Sequence, residues 1–208
     1  MYLRVTAFRS DPTTIDKGID FLKAQIIPSL KKMPGFVGVT CIVDRQKGEA
    51  AASTLWESLE AMNNAEKIGI DSRLKSSEAT GLEVVDVDRF EMTVLEMPAP
   101  NAQLPSYTRL TTAYHDPKNA DSVTKQLREA VLPELKSQPG FRAFAAGINR
   151  MTGRGFTTSS WDTPQYREAS HTAVADQRQK TIDSGGLYGL EIANVETVVA
   201  DVKQPVAR

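Results

Sequence analysis

The chain has 208 residues, 40% hydrophobic and 25% charged, with 25 basic and 26 acidic side chains and a formal net charge of −1. That balance excludes the basic stripe of a nucleic-acid surface, and a chain of this length buries enough surface to fold without a metal or disulfide staple. Cys41, the single cysteine, forms no intramolecular disulfide and suits a reducing cytoplasm.

Residues 2–9 read as a strand, and Asp11-Pro12 then opens a helix. In that helix Ile15, Ile19, Leu22, Ile26 and Leu30 recur three or four apart, which makes one apolar stripe. Pro28 falls inside the helix, where its missing N–H predicts a bent or broken last turn. Pro34-Gly35 stops the helix. Residues 36–44 and 49–57 form a hairpin around Arg45-Gln46-Lys47-Gly48, a second helix covers 58–79 with Gly81 as its cap, and a last strand covers 83–96.

The same series then begins again, 105 residues on. Tyr2 falls on Tyr107, Arg4 on Arg109, Asp11-Pro12 on Asp116-Pro117, Pro28 on Pro133, Pro34-Gly35-Phe36 on Pro139-Gly140-Phe141, and Trp56 on Trp161. Chance does not align two tryptophans and several prolines at one offset without a gap, so the chain is a tandem duplication. The expected domains are 1–97 and 106–208, joined by a linker at 98–105. The second copy places its hairpin at 141–149 and 154–162, its second helix at 163–183, and its last strand at 188–201.

Two βαββαβ units predict an α+β protein: two ferredoxin-like repeats, each an antiparallel sheet with helices on one face. The uncovered faces are expected to pack on each other, giving a barrel-like pseudo-dimer within one chain. It could be monomeric or dimerise again. No apolar run approaches the ~20 residues of a membrane-spanning helix, and Met-Tyr-Leu-Arg-Val-Thr lacks the pattern of a secretory leader. The expectation is therefore a soluble cytoplasmic protein without nucleic-acid or membrane partners.

Pro34-Gly35-Phe36, the hairpin, and Trp56-Glu57-Ser58, with their second-copy counterparts ending in Trp161-Asp162-Thr163, resemble the antibiotic-biosynthesis-monooxygenase-like domain of the dimeric α/β-barrel superfamily. The resemblance covers nearly the whole chain, once per copy, and implies the fold. Relatives include cofactor-independent oxygenases of aromatic polyketides, haem-degrading oxygenases, isomerases and members without known activity, so the fold names no reaction. Haem degradation in that superfamily uses an asparagine on the first strand plus a tryptophan and a histidine on the second helix. The asparagine and tryptophan are missing here and only His171 lies in roughly the right element, which leaves haem binding as the weakest alternative.

The resemblance implies a monooxygenase-like enzyme without cofactor or metal, acting on a small apolar, aromatic or polyketide-like molecule. The alternative is a non-catalytic ligand-binding or structural pseudo-dimer. The candidate catalytic residues are His171 as base, with Arg109 and Tyr107 orienting a substrate anion. Trp161, Trp56, Arg4 and Tyr2 are the candidate substrate-binding residues. Each has a plainer reading. The tryptophans are large core anchors, and the arginines are buried ion pairs formed with Glu91 and Glu196 on the last strands. By the two-residue period of a strand, Arg4 and Arg109 are expected to face away from the helices, into the space between the sheets. His115 ends a strand at a loop and His171 lies in the second helix, with Glu66 as its first-copy counterpart; the plainer reading of either histidine is a surface or helix-cap role.

Overall fold

A computed structural model describes residues 1–97 and 103–203. Most of the expected linker, including Pro98 and Pro100, lies outside the described residues. Eight strands are hydrogen-bonded as a closed antiparallel barrel in the order β1-β3-β2-β8-β5-β7-β6-β4. They are β1 (Tyr2–Arg9), β2 (Phe36–Asp44), β3 (Glu49–Trp56), β4 (Glu83–Glu96), β5 (Ser106–Tyr114), β6 (Phe141–Ile148), β7 (Arg154–Trp161) and β8 (Tyr188–Val202). This is the fold expected from the doubled βαββαβ pattern. The described residues fall into two compact units, one within Met1–Arg89 together with the described residues from Thr197, the other within Phe90–Glu196.

In the first unit β1 pairs with β3 so that Arg4 lies opposite Thr54 and Thr6 opposite Ala52. The second unit repeats the register, Arg109 opposite Ser159 and Thr111 opposite Thr157. A bulge interrupts β2 between Phe36 and Gly38, and another interrupts β6 between Phe141 and Ala143.

The first helix of each half has an unexpected interior. Asp11 and Asp116 cap short 3₁₀ turns through their side chains, and α1 (Ile15–Phe21) or α5 (Ala120–Gln126) follows. Next comes a π-helical stretch, Leu22–Ile26 or Leu127–Val131, before α2 (Ile27–Leu30) or α6 (Leu132–Ser137). Pro28 and Pro133 sit at the start of these last segments. The widened turn replaces the break expected at proline, because it relieves the clash of the ring with the preceding turn without ending the helix.

The second helix of each half is two helices rather than one. Ser58 caps α3 (Leu59–Asn64), which breaks at Ala65 before α4 (Glu66–Thr80). Thr163 caps α7 (Pro164–Ala173), which breaks at Val174 before α8 (Ala175–Gly185). Gly81 and Gly186 close α4 and α8 in the left-handed conformation, as their positions predict.

Each unit has its own core. Ile15, Ile19, Ile26, Leu30, Val39, Val43, Trp56 and Met62 pack together in the first. Val123, Leu127, Leu135, Phe144, Trp161 and Val174 do so in the second. Among the described residues no helix is long and apolar enough to cross a membrane.

Candidate functional site

Each unit holds a partly open cavity between its strands and its helices. In the second unit it measures about 120 Å³, and its polar lining is Arg109, Thr111, His115, Thr157, Ser159, Arg178 and Thr181. Val123, Leu127, Val131, Leu135 and Phe144 supply apolar walls, so the π-turned segment of the first helix is part of the enclosure. In the first unit the cavity is about 80 Å³ and includes Arg4, Thr6, Phe8, Cys41, Gly69 and Arg73.

These linings reverse the expected strand face. Arg4, Thr6, Arg109 and Thr111 point toward the helices, because that is where the guanidinium donors find acceptors. Arg4 donates 2.5 Å to the Met62 carbonyl and lies 2.7 Å from Glu66 Oε2. Arg109 donates to the Arg167 carbonyl and 3.0 Å to Ser170 Oγ. Glu91 is not a partner of the strand arginines; its carboxylate lies 2.6 Å from Arg150 Nε.

The two arginine sites differ in their counter-charge. Glu66 bridges three guanidiniums, with Arg73 and Arg89 each at 2.9 Å in addition to Arg4. Burial works against its ionisation, but hydrogen bonds from Arg73 and Arg89 and the charge of Arg4 outweigh it, holding Glu66 below its ordinary value. The second half has Arg109 and Arg178 where the first has Arg4 and Arg73, but His171 stands in place of Glu66 and Asn194 in place of Arg89. Among the described residues no carboxylate pairs with Arg109, which is 5% exposed. Burial first, and then the charges of Arg178 and Arg167, bring Arg109 down to about 10 against the pull of Glu168. The Glu168 carboxylate is itself engaged by Arg167 and Asn194.

His171 does not line the cavity. It backs onto Arg178, whose terminal nitrogens lie 3.3 and 3.4 Å from the two ring nitrogens, with a further 3.2 Å bond to the His171 carbonyl. A neutral imidazole offers only one acceptor nitrogen, so at most one of the ring contacts is a hydrogen bond. Burial, then Arg178 and Arg109, hold His171 below its ordinary value, so the ring stays neutral beside the guanidiniums.

His115 is the residue that sequence reasoning misplaced. It is 2% exposed, its Nδ1 lies 2.8 Å from the Asp116 carbonyl, and its Nε2 is buried without a partner. With Nδ1–H donating to that carbonyl, Nε2 carries a free lone pair and the ring lines the apolar cavity. Its counterpart in the first half is Ser10. The only sequence signal was this difference between the copies, and the strand-end position hid the burial.

The remaining candidates sit off the cavity wall. Trp56 and Trp161 are fully buried in the cores, edge-on to Phe36 and Phe141. Their Nε1 atoms bond Thr54 Oγ1 at 3.0 Å and Ser159 Oγ at 3.2 Å, and those hydroxyl residues do line the cavities. Tyr2 and Tyr107 lie opposite the tryptophans at the strand starts, half-buried.

No protein-family model matches the chain. The uncharacterised protein Rv2558 of Mycobacterium tuberculosis (strain ATCC 25618 / H37Rv) is 26% identical over 208 residues, covering 99% of this chain and 86% of that protein. A candidate monooxygenase from Lactobacillus acidophilus NCFM superposes with a TM-score of 0.70 at 12% identity, covering 98% of this chain and 96% of that one. An anthrone oxidase-like protein superposes with a TM-score of 0.69 at 16% identity, covering 99% and 95%. The chain therefore shares the fold of these solved proteins, a closed eight-stranded α/β barrel among the described residues, with both halves in one polypeptide.

Proposed function

We propose that the second half is a cofactor-independent monooxygenase site for a small, largely apolar, aromatic molecule with an acidic hydrogen. The observation that carries this reading is His115, a residue that lines the apolar cavity and whose buried Nε2 has no hydrogen-bond partner. A cavity of about 120 Å³ matches the scale, roughly 150 Å³, at which a dry apolar site takes up one benzene ring. His115 removes a proton from an activated methylene, and the resulting carbanion passes an electron to molecular oxygen. Recombination forms a carbon–oxygen bond. The second oxygen leaves as water with the two methylene hydrogens, so a CH₂ becomes a C=O and no external reductant is consumed. Arg109 supplies positive charge at the other end of the cavity, and the apolar walls exclude water.

The one-ring scale of the cavity makes single-ring compounds with a doubly activated methylene the first substrates to test. Oxygen uptake should follow addition of substrate to the protein alone and fall at least tenfold in His115→Gln. No uptake by the wild-type protein across such a panel sinks the proposal. That result favours binding without turnover, a reading supported by Ser10 standing in the first half where His115 stands in the second.

A further inference from the structure

We propose that the second cavity selects a small organic monocarboxylate, anchored on Arg109 and Arg178, and that the first cavity refuses such anions because Glu66 already engages its guanidiniums. This rests on the reading of the second cavity as a ligand site. It adds the charge of the ligand, the direction in which it lies, and a division of labour between the halves.

The argument comes from the molecule's comparison with itself. Both cavities present two arginines at matching positions, Arg4 with Arg73 and Arg109 with Arg178. In the first half a carboxylate from the protein meets both, at 2.7 and 2.9 Å. In the second half that carboxylate is replaced by His171, which contacts Arg178 without supplying negative charge. Ser170 Oγ and the Arg167 carbonyl satisfy part of the Arg109 fork but are neutral. A buried guanidinium without a direct carboxylate partner is costly, Glu168 acting on Arg109 only through its field, and a planar carboxylate is the group its fork fits best.

The lining also gives the ligand a direction. Arg109 lies within β5 and His115 just past its end, six residues on, roughly 20 Å between backbone positions at ~3.3 Å per residue. Thr111 and Ala113 lie between them. The carboxylate is therefore the anchor at the arginine end, and the apolar body extends along β5 toward His115. Anchor and base are separate groups.

The test uses 3-phenylpropanoate and its neutral analogue 3-phenylpropan-1-ol, titrated calorimetrically into the full chain. The carboxylate should bind at one site per chain and at least tenfold more tightly than the alcohol. His171→Glu, which copies the first half's arrangement, should remove that preference, and Arg178→Met should do so without adding a charge. Glu66→Gln should bring carboxylate stoichiometry toward two per chain. Equal affinity for both compounds, or an undiminished preference in folded His171→Glu and Arg178→Met, overturns the inference while leaving the cavity as a ligand site. Binding of neither compound overturns both.

Discussion

Glu66 is the hub that Arg4 needs: its Oε2 lies 2.7 Å from the Arg4 guanidinium, and it holds Arg73 and Arg89 at 2.9 Å as well. Arg4 is only 4% exposed, so removing the carboxylate strands a buried charge. Glu66→Gln should cost about 2–3 kcal/mol at neutral pH, less than the ~3–5 of a fully buried pair because Glu66 is partly exposed. Its ionisation range is lowered in the folded state. The stabilisation is therefore complete above the ordinary glutamate range and lost as the pH falls through the folded value. Urea denaturation from pH 7 to pH 3 should show a steep acid loss in the wild type and a flatter one in Glu66→Gln.

His171 should titrate below the ordinary histidine value, because burial and the charges of Arg178 and Arg109 oppose its protonation while Glu168 favours it. The sign can be checked from both sides. Arg178→Met should raise the midpoint and Glu168→Gln should lower it, as read from the ring-proton shifts in NMR. A midpoint unmoved by both changes would mean that the imidazole does not sense this cluster.

Gly69 should resist a substitution that helices normally welcome. Replacing glycine by alanine inside a helix usually gains up to about 1 kcal/mol. Here an added Cβ would come 2.8 Å from Arg4 Nη1 and 3.2 Å from Arg73 Nη1, both tied to Glu66. Gly69→Ala is expected to lose about 1 kcal/mol instead. The loss should shrink in the Glu66→Gln background, where the arginines are free to move, and a double-mutant denaturation cycle measures that coupling.

Trp161 anchors the second core rather than touching the cavity contents. Trp161→Phe removes the 3.2 Å bond to Ser159 Oγ and should cost about 1–2 kcal/mol in denaturant unfolding. Affinity for a cavity ligand in the folded variant should change less than twofold, whereas a wall residue would shift it more.

Cys41 reports on the first cavity, which it lines. Burial pushes its thiol up to about 12, so it should be inert to a disulfide reagent in the native protein and react only as the unit opens.

Elements and their order were legible because they depend on local signals. The i, i+3, i+4 stripe from Ile15 to Leu30, the stops at Pro34-Gly35 and Pro139-Gly140, and the caps at Gly81 and Gly186 each need only neighbouring residues. The doubled series carried the eight-stranded barrel, since each sheet had an uncovered face to bury. The π-turns before Pro28 and Pro133 were not legible, because a proline states that a hydrogen bond is missing but not how the helix adjusts.

The sequence by itself determined the repeat, the strands and helices, and the replacement of Glu66 by His171, all of which are properties of order along the chain. Only the tertiary structure decided which strand face meets the helices, because alternation separates two faces but cannot name them when both are largely buried. That decision put Arg109 and His115 on one cavity wall, their 5% and 2% exposures being outcomes of packing between segments distant in the chain. It also moved Trp56 and Trp161 into the cores, where their size is used for packing.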